Sequence, residues 1–294
     1  MHSNSGRVDR RLTILLLGMA GATALLLALI MLFLLSEAWP FFANRWRDGS
    51  WLQLFYSQNW YPLEGQFGMA PMILSSLAVT VGAVALALPL GLGSAIFLQF
   101  YASPRSAQSF RLLLNVLAGI PSVVFGLWGL TRLVPLITSW QPPGASMLAA
   151  IVVLTLMILP TIALTSASSL ASVPRELLAG SMALGLRRNT QILHIILPAA
   201  RAGISSGVLL ATARALGETL AVLMVAGNVV QNPSGLFEPV RVLTANIALE
   251  MAYAMGDHRA SLFASGLLLT VLVWLLSWFA HHVSRANKQE RQHG

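Results

Sequence analysis

Six stretches of about 20 predominantly apolar residues constrain this 294-residue chain more than any other feature, because a run of that length covers a hydrocarbon core of about 30 Å. They fall at 12–35, 71–97, 112–137, 146–168, 203–227 and 260–282. A backbone in lipid must satisfy its own polar groups, so the runs read as α-helices. Only 10% of the residues are charged and the mean hydropathy is +0.73. An aqueous domain carries about 25% charge, and disorder requires low hydrophobicity. The expected class is an all-α integral membrane protein with six transmembrane helices. The fourth run is the least uniform, since Thr155, Pro160, Thr161, Thr165, Ser166, Ser168 and Ser169 make its second half polar.

The first run follows Arg7, Arg10 and Arg11, as a signal peptide would, but it exceeds the roughly 7 to 15 apolar residues of a cleavable one and reads as a retained anchor. Lysine and arginine favour cytoplasmic loops. With both termini in the cytoplasm, 12 of the 18 basic residues lie inside, five lie outside (Arg45, Arg47, Arg132, Arg241 and Arg259), and Arg214 falls within a span. The formal charge of +8 thus reports orientation in a bacterial inner membrane and implies no nucleic acid. The expected organisation is a tail over 1–11, a permease domain over 12–282 and a tail over 283–294, both tails cytoplasmic. Cysteine is absent, which removes disulfides and thiolate chemistry.

Two outer stretches stand out. Residues 37–70 form a loop rich in Trp39, Trp46, Trp51, Tyr56, Trp60 and Tyr61, the composition of an interfacial belt. Over 231–258, Val240, Leu243, Ile247 and Met251 recur at helical spacing after Pro233, Gly235 and Pro239, which predicts a short re-entrant helix.

The inner stretch 174–200 reads as two helices. Pro174 starts the first, Gly185 ends it, and Asn189 or Thr190 caps a second running to Leu197 before Pro198. Gly185, nine residues, then Ile195, Ile196, Leu197 and Pro198 resembles the coupling loop of ABC-importer permeases, whose pattern is Glu-Ala-Ala, three residues, Gly, nine residues, Ile, any residue, Leu, Pro. Ala179, Gly180 and Ser181 stand in the Glu-Ala-Ala place, so the family's glutamate is missing. The resemblance implies a type I permease fold whose loop seats in a separate ATPase. An independent argument agrees: the single lysine, Lys288, follows no glycine-rich run, so the chain has no P-loop and cannot hydrolyse ATP by that route; the expectation is a transport subunit, not an enzyme, without its own ATPase site.

In the fifth run, Arg214 lies roughly 16 Å from Gly203, near the midplane. A charge there costs about 2.5 to 3.5 kcal/mol and must face protein or water. Glu218 is four residues on, so a continuous helix sets the two on one face, close enough to neutralise each other. One reading is a structural ion pair. The other is that Arg214 offers its fork to a passing oxyanion while Glu218 masks it when the path is empty.

Arg214-Ala215-Leu216-Gly217-Glu218 resembles the oxyanion-importer permeases. Thr219, the Ile120–Leu130 segment, 65–71 and Leu243–Ala248 are most similar to the phosphate (PstC) type. That resemblance implies a permease half that lines the path with Arg214, Glu218 and Thr219. Its implied partners are a second homologous permease, two copies of a cytoplasmic ABC ATPase that uses ATP-Mg, an outer-face phosphate-binding protein, phosphate and membrane lipid. No cofactor or metal is expected on this chain. The alternatives are a sulfate or molybdate permease, and an ATPase-independent secondary transporter, which leaves the long inner loop unexplained. An intramembrane enzyme has no His-Glu-x-x-His to support it, and Ser265-Gly266 lacks the preceding glycine of a Gly-x-Ser-Gly nucleophile. Pro121 and Pro160 are candidate kinks.

Overall fold

The computed structural model describes residues 5–289, and side chains from 12 to 278. The expected tails therefore lie partly outside the described residues, which omit 1–4 and 290–294. Two long helices flank the bundle: α1 (Ser5–Arg47) and α13 (Gly256–Gln289). They run antiparallel, with Phe33 edge-on to Phe263 at 5.7 Å and Glu37 4.0 Å from Arg259. Helix α1 extends well past residue 35, so the first third of the expected 37–70 loop is helical, carried through Pro40.

The rest of that stretch is compact. A single turn, α2 (Gln53–Tyr56), precedes a hairpin of β1 (Trp60–Tyr61) on β2 (Gln66–Phe67). Gly65 closes the hairpin at φ 71°. Trp39, Trp46, Trp51, Tyr56 and Tyr61 are exposed, as an interfacial belt requires, whereas Trp60 is 6% exposed and belongs to the core.

The centre of the bundle is α7 (Met147–Ala171), packed between α3 (Ala70–Ile96) and α10 (Leu197–Leu216). The polar second half of the fourth run continues the same helix as the more deeply buried first half, and several of its hydroxyls bond back to their own turns. Thr165 donates to the Thr161 carbonyl at 2.7 Å and Ser169 to the Thr165 carbonyl at 2.8 Å. Small residues opposite them let the backbones close. A Cβ on Gly203 would stand 2.3 Å from Ser169 Oγ, and one on Gly207 2.0 Å from Thr165 Oγ1. Helix α7 passes through Pro160 without a break; lost backbone bonds are tolerated where a bundle encloses the turn.

Helices α3 and α7 run parallel: Gly82 faces Ile151, Gly91 faces Ile162, and Gln99 Nε2 donates to the Ala167 carbonyl at 2.8 Å. The chain must therefore return between them. It does so through α4 (Pro104–Gly119), α5 (Ser122–Trp128), a π-type turn and α6 (Val134–Thr138). The expected third span is broken here, bent by 92°. Pro121 has no N–H and forces the preceding Ile120 into the extended region, at ψ 128°. Five described helices are long and apolar enough to span a membrane, and this bent pair makes a sixth candidate.

The fifth expected span differs at both ends. It starts upstream, as one helix from Arg188 to Leu216, made of α9 (Arg188–Gln191), a π-type turn over Ile192–Ile196, and α10. Pro198 therefore does not end a helix. In the widened turn the Leu197 N–H reaches back to the Ile192 carbonyl, and the register shift absorbs the donor that Pro198 lacks. The other end stops at Leu216, short of 227, and a separate α11 (Leu220–Val225) follows. The last short helix, α12 (Leu243–Glu250), is embedded among α3, α11 and α13. Call the end of the bundle near α12 the upper end.

Candidate functional site

The lower end carries α8 (Arg175–Ala183). Its termination is chemical: Gly185 adopts φ 70°, its N–H bonds to the Met182 carbonyl at 3.0 Å, and the Leu186 N–H bonds to the Ser181 carbonyl at 3.3 Å. These are the two bonds of a Schellman stop, whose left-handed position favours glycine. Ala179, Gly180 and Gly185 are exposed. Ser181 is buried and donates to the Leu178 carbonyl, so it holds the loop together. Ile195, Leu197 and Pro198 are partly buried. Sequence reasoning missed the apolar knob of Leu177, Met182 and Leu184, all exposed beside Gly185. It also missed a clasp on the α3 extension, where the Tyr101 hydroxyl donates to Asn189 Oδ1 at 2.7 Å and Arg188 lies 4.9 Å over the ring.

The mid-bundle site differs from its expected form. Arg214 is the third residue from the end of α10 and is exposed on the surface of this chain. Among the described residues no ion pair joins it to Glu218, because Gly217 ends the helix between them and the four-residue spacing no longer places both on one face. Local bonds that compete with the helix fix the break. Glu218 Oε1 accepts from the Ala221 N–H at 3.2 Å, in the first turn of α11. Thr219 Oγ1 donates to the Gly217 carbonyl at 3.3 Å. From above, Thr244 Oγ1 of α12 donates to the Glu218 carbonyl at 2.7 Å. Helix α11 is seated on α5, where Gly126 lets Ala221 approach and Gly129 admits Val225.

Beside Glu218 lies a cavity of about 10 Å³, lined by Ser76, Thr80 and Thr244 among others. It has room for roughly one water. A tetrahedral oxyanion does not fit there, so an anion reaching Arg214 would approach from the exposed flank.

A second charged cluster, at the upper end, was invisible to sequence spacing. Glu250 closes α12. Its Oε1 accepts from Arg241 Nη1 at 2.7 Å, while Oε2 accepts from Trp60 Nε1 at 2.8 Å and lies 2.8 Å from His258 Nε2. Arg241 also donates through Nη1 to Asn246 Oδ1 at 3.0 Å and through Nε to the Asn228 carbonyl at 2.9 Å. One carboxylate thus ties β1, α12 and α13 together. Among the described residues, no three acidic or histidine side chains converge as a metal site would require.

A multi-spanning helical protein with a structured lower loop and an arginine exposed in the last turn of an apolar helix, unpaired among the described residues, has the attributes of a transport component. Residues 87–289 match the family of binding-protein-dependent transport system inner membrane components, and the chain belongs to that family. It is a permease-type transport subunit of the inner membrane that couples to a separate ATPase, not an enzyme itself. It is 37% identical over 243 residues to a probable ABC transporter permease protein, YqgH, of Bacillus subtilis, covering 81% of this chain and 79% of the relative. It is 32% identical over 287 residues to the phosphate transport system permease protein PstC of Mesorhizobium japonicum, covering 89% and 88%. Its fold is like that of a bacterial alginate ABC transporter (TM-score 0.68, 16% identity, 95% of this chain and 96% of the other). It is also like the MetNI methionine transporter (TM-score 0.62, 19% identity, 78% and 99%).

Proposed function

We propose that the chain is one permease half of an ATP-driven phosphate importer. The observation that carries this reading is Arg214, a guanidinium in the last turn of the apolar helix Arg188–Leu216, exposed on its own chain and, among the described residues, without a carboxylate partner. Such a charge cannot face lipid cheaply. It needs water or a second subunit beside it, and a path between two permeases supplies both. Its fork suits an oxyanion, and the PstC relatives favour phosphate among oxyanions. Glu218 and Thr219 line the same path.

With the bent α4–α6 segment counted as a pass, the chain crosses six times and both ends lie on the lower, cytoplasmic side. The 174–200 loop, through Ala179, Gly180, Ser181, Gly185, Ile195, Leu197 and Pro198, then meets one of two ATPase copies, which bind ATP-Mg. An outer-face binding protein delivers phosphate above the 231–258 segment. ATP drives transport only if the ATPase binds two permease states unequally.

The test is uptake by the reconstituted complex, assayed with phosphate, sulfate and molybdate. Phosphate is expected to be the favoured anion, and Arg214→Gln is expected to abolish uptake with normal assembly. Normal uptake by Arg214→Gln removes the proposed site, and preference for sulfate or molybdate removes the substrate. Gly185→Asp forces an L-residue to φ 70° and breaks the loop's stop. We expect it to lose the co-purifying ATPase, and undiminished co-purification refutes the docking role.

A further inference from the structure

We infer that α12 is a switch that decides whether Arg214 is free or masked. This rests on the reading of Arg214 as the anion's contact. Two arrangements of residues 217–219 are available. In the structure the helix is broken at Gly217, the Glu218 carboxylate caps α11 through the Ala221 N–H, and Arg214 is unpaired. If 217–219 instead wound on from α10, Glu218 would stand one turn beyond Arg214 on the same face and neutralise it. In the broken form the Glu218 carbonyl accepts a long-range bond of 2.7 Å from the Thr244 hydroxyl, beside the seat of α11 on α5. Winding the helix would turn that carbonyl along the helix axis and away from Thr244.

The position of Thr244 is itself determined from above. Helix α12 is pinned at its start by the Leu243 N–H on Ser76 Oγ at 3.0 Å, and at its end by Glu250, which Arg241, Trp60 and His258 hold. The hairpin that carries Trp60 is exposed through Tyr61 and Leu63, and the first turn of α13 through Asp257, so a partner that docks there and shifts either element loosens α12. Docked, α12 presents a free arginine to an arriving anion. Released, it lets Glu218 return to Arg214 and displace the anion.

Thr244 is thus a positioning residue, and the test is epistasis. Uptake is measured in the full complex with whichever of phosphate, sulfate and molybdate the wild type takes up fastest. Thr244→Val removes one hydrogen bond and should slow uptake roughly fivefold, while Thr244→Ser should retain it. In a Glu218→Gln background, where no carboxylate can mask Arg214, Thr244→Val should cost nothing further. Two results overturn the switch: unchanged uptake in Thr244→Val, or a Thr244→Val deficit of full size in the Glu218→Gln background; where Glu218→Gln takes up nothing, because the anion is no longer displaced, the distance measurement below decides.

The chain has no native cysteine, which allows a second readout if Thr244→Val accumulates poorly. Nitroxides on cysteines introduced at the exposed Leu210 and Leu220 should report one distance in the parent and a second population in Thr244→Ala. A single unchanged distance overturns the switch. Uptake by Arg214→Gln brings down the proposed function. Loss of uptake there without the Thr244–Glu218 epistasis brings down only the switch.

Discussion

Two of the arginine–glutamate couples among the described residues behave oppositely. Arg214 and Glu218, four residues apart, have the spacing at which a helix pairs charges, and they are not paired. Arg241 and Glu250, nine apart at the two ends of α12, are joined at 2.7 Å. The difference lies in what surrounds each carboxylate. Glu250 is 7% exposed and both its oxygens are engaged, so the cost of burying it is offset. Glu218 is engaged by backbone groups on both sides of a helix break, and its natural counter-ion is left open. A saturated couple holds structure together; an incomplete one leaves a group able to meet a ligand.

Substitutions that exchange the two behaviours would break this contrast. The largest effect on stability is expected from Arg241→Gln, which leaves Glu250 buried without its cation and costs about 3 kcal/mol, read as a lowered unfolding midpoint of the purified chain in nanodiscs. Arg214→Gln in the same assay should shift stability by no more than about 0.5 kcal/mol, although uptake is abolished. An unfolding shift for Arg214→Gln as large as that of Arg241→Gln would make both couples structural. Trp60→Phe, which keeps an aromatic ring but removes the donor to Glu250 and part of the buried indole, should cost about 1 to 2 kcal/mol. A neutral Trp60→Phe would mean that Arg241 and His258 suffice to hold the carboxylate.

Hydropathy made the apolar runs legible, because length and low charge are all that lipid demands of a span. It does not register breaks. Residues 203–227 stay apolar across Gly217, and 112–137 stay apolar across Pro121, so both read as single rods. The signals were present: Ile120 precedes a proline, and Gly217-Glu218-Thr219 combines a helix stop with side chains that bond to nearby backbone. The Gly185 turn was readable for the converse reason, since its requirement is local. The upper cluster was not, because Trp60 and Glu250 are 190 positions apart and only the folded bundle brings them together. The polar half of α7 did not prevent its reading as part of a span, and hydroxyls that bond to their own turn add little to the cost of burial.

The uninterrupted helix from Arg188 to Leu216 has a mechanical consequence. Its grip on α7, at Gly203 and Gly207, lies roughly 25 Å from the Arg188 end and about 14 Å from Arg214. A stiff rod clamped partway along its length rocks about the clamp, and its two tips swing in opposite senses. Force applied at the foot of this lever reaches the guanidinium as a sideways sweep, geared down by the ratio of the two arms.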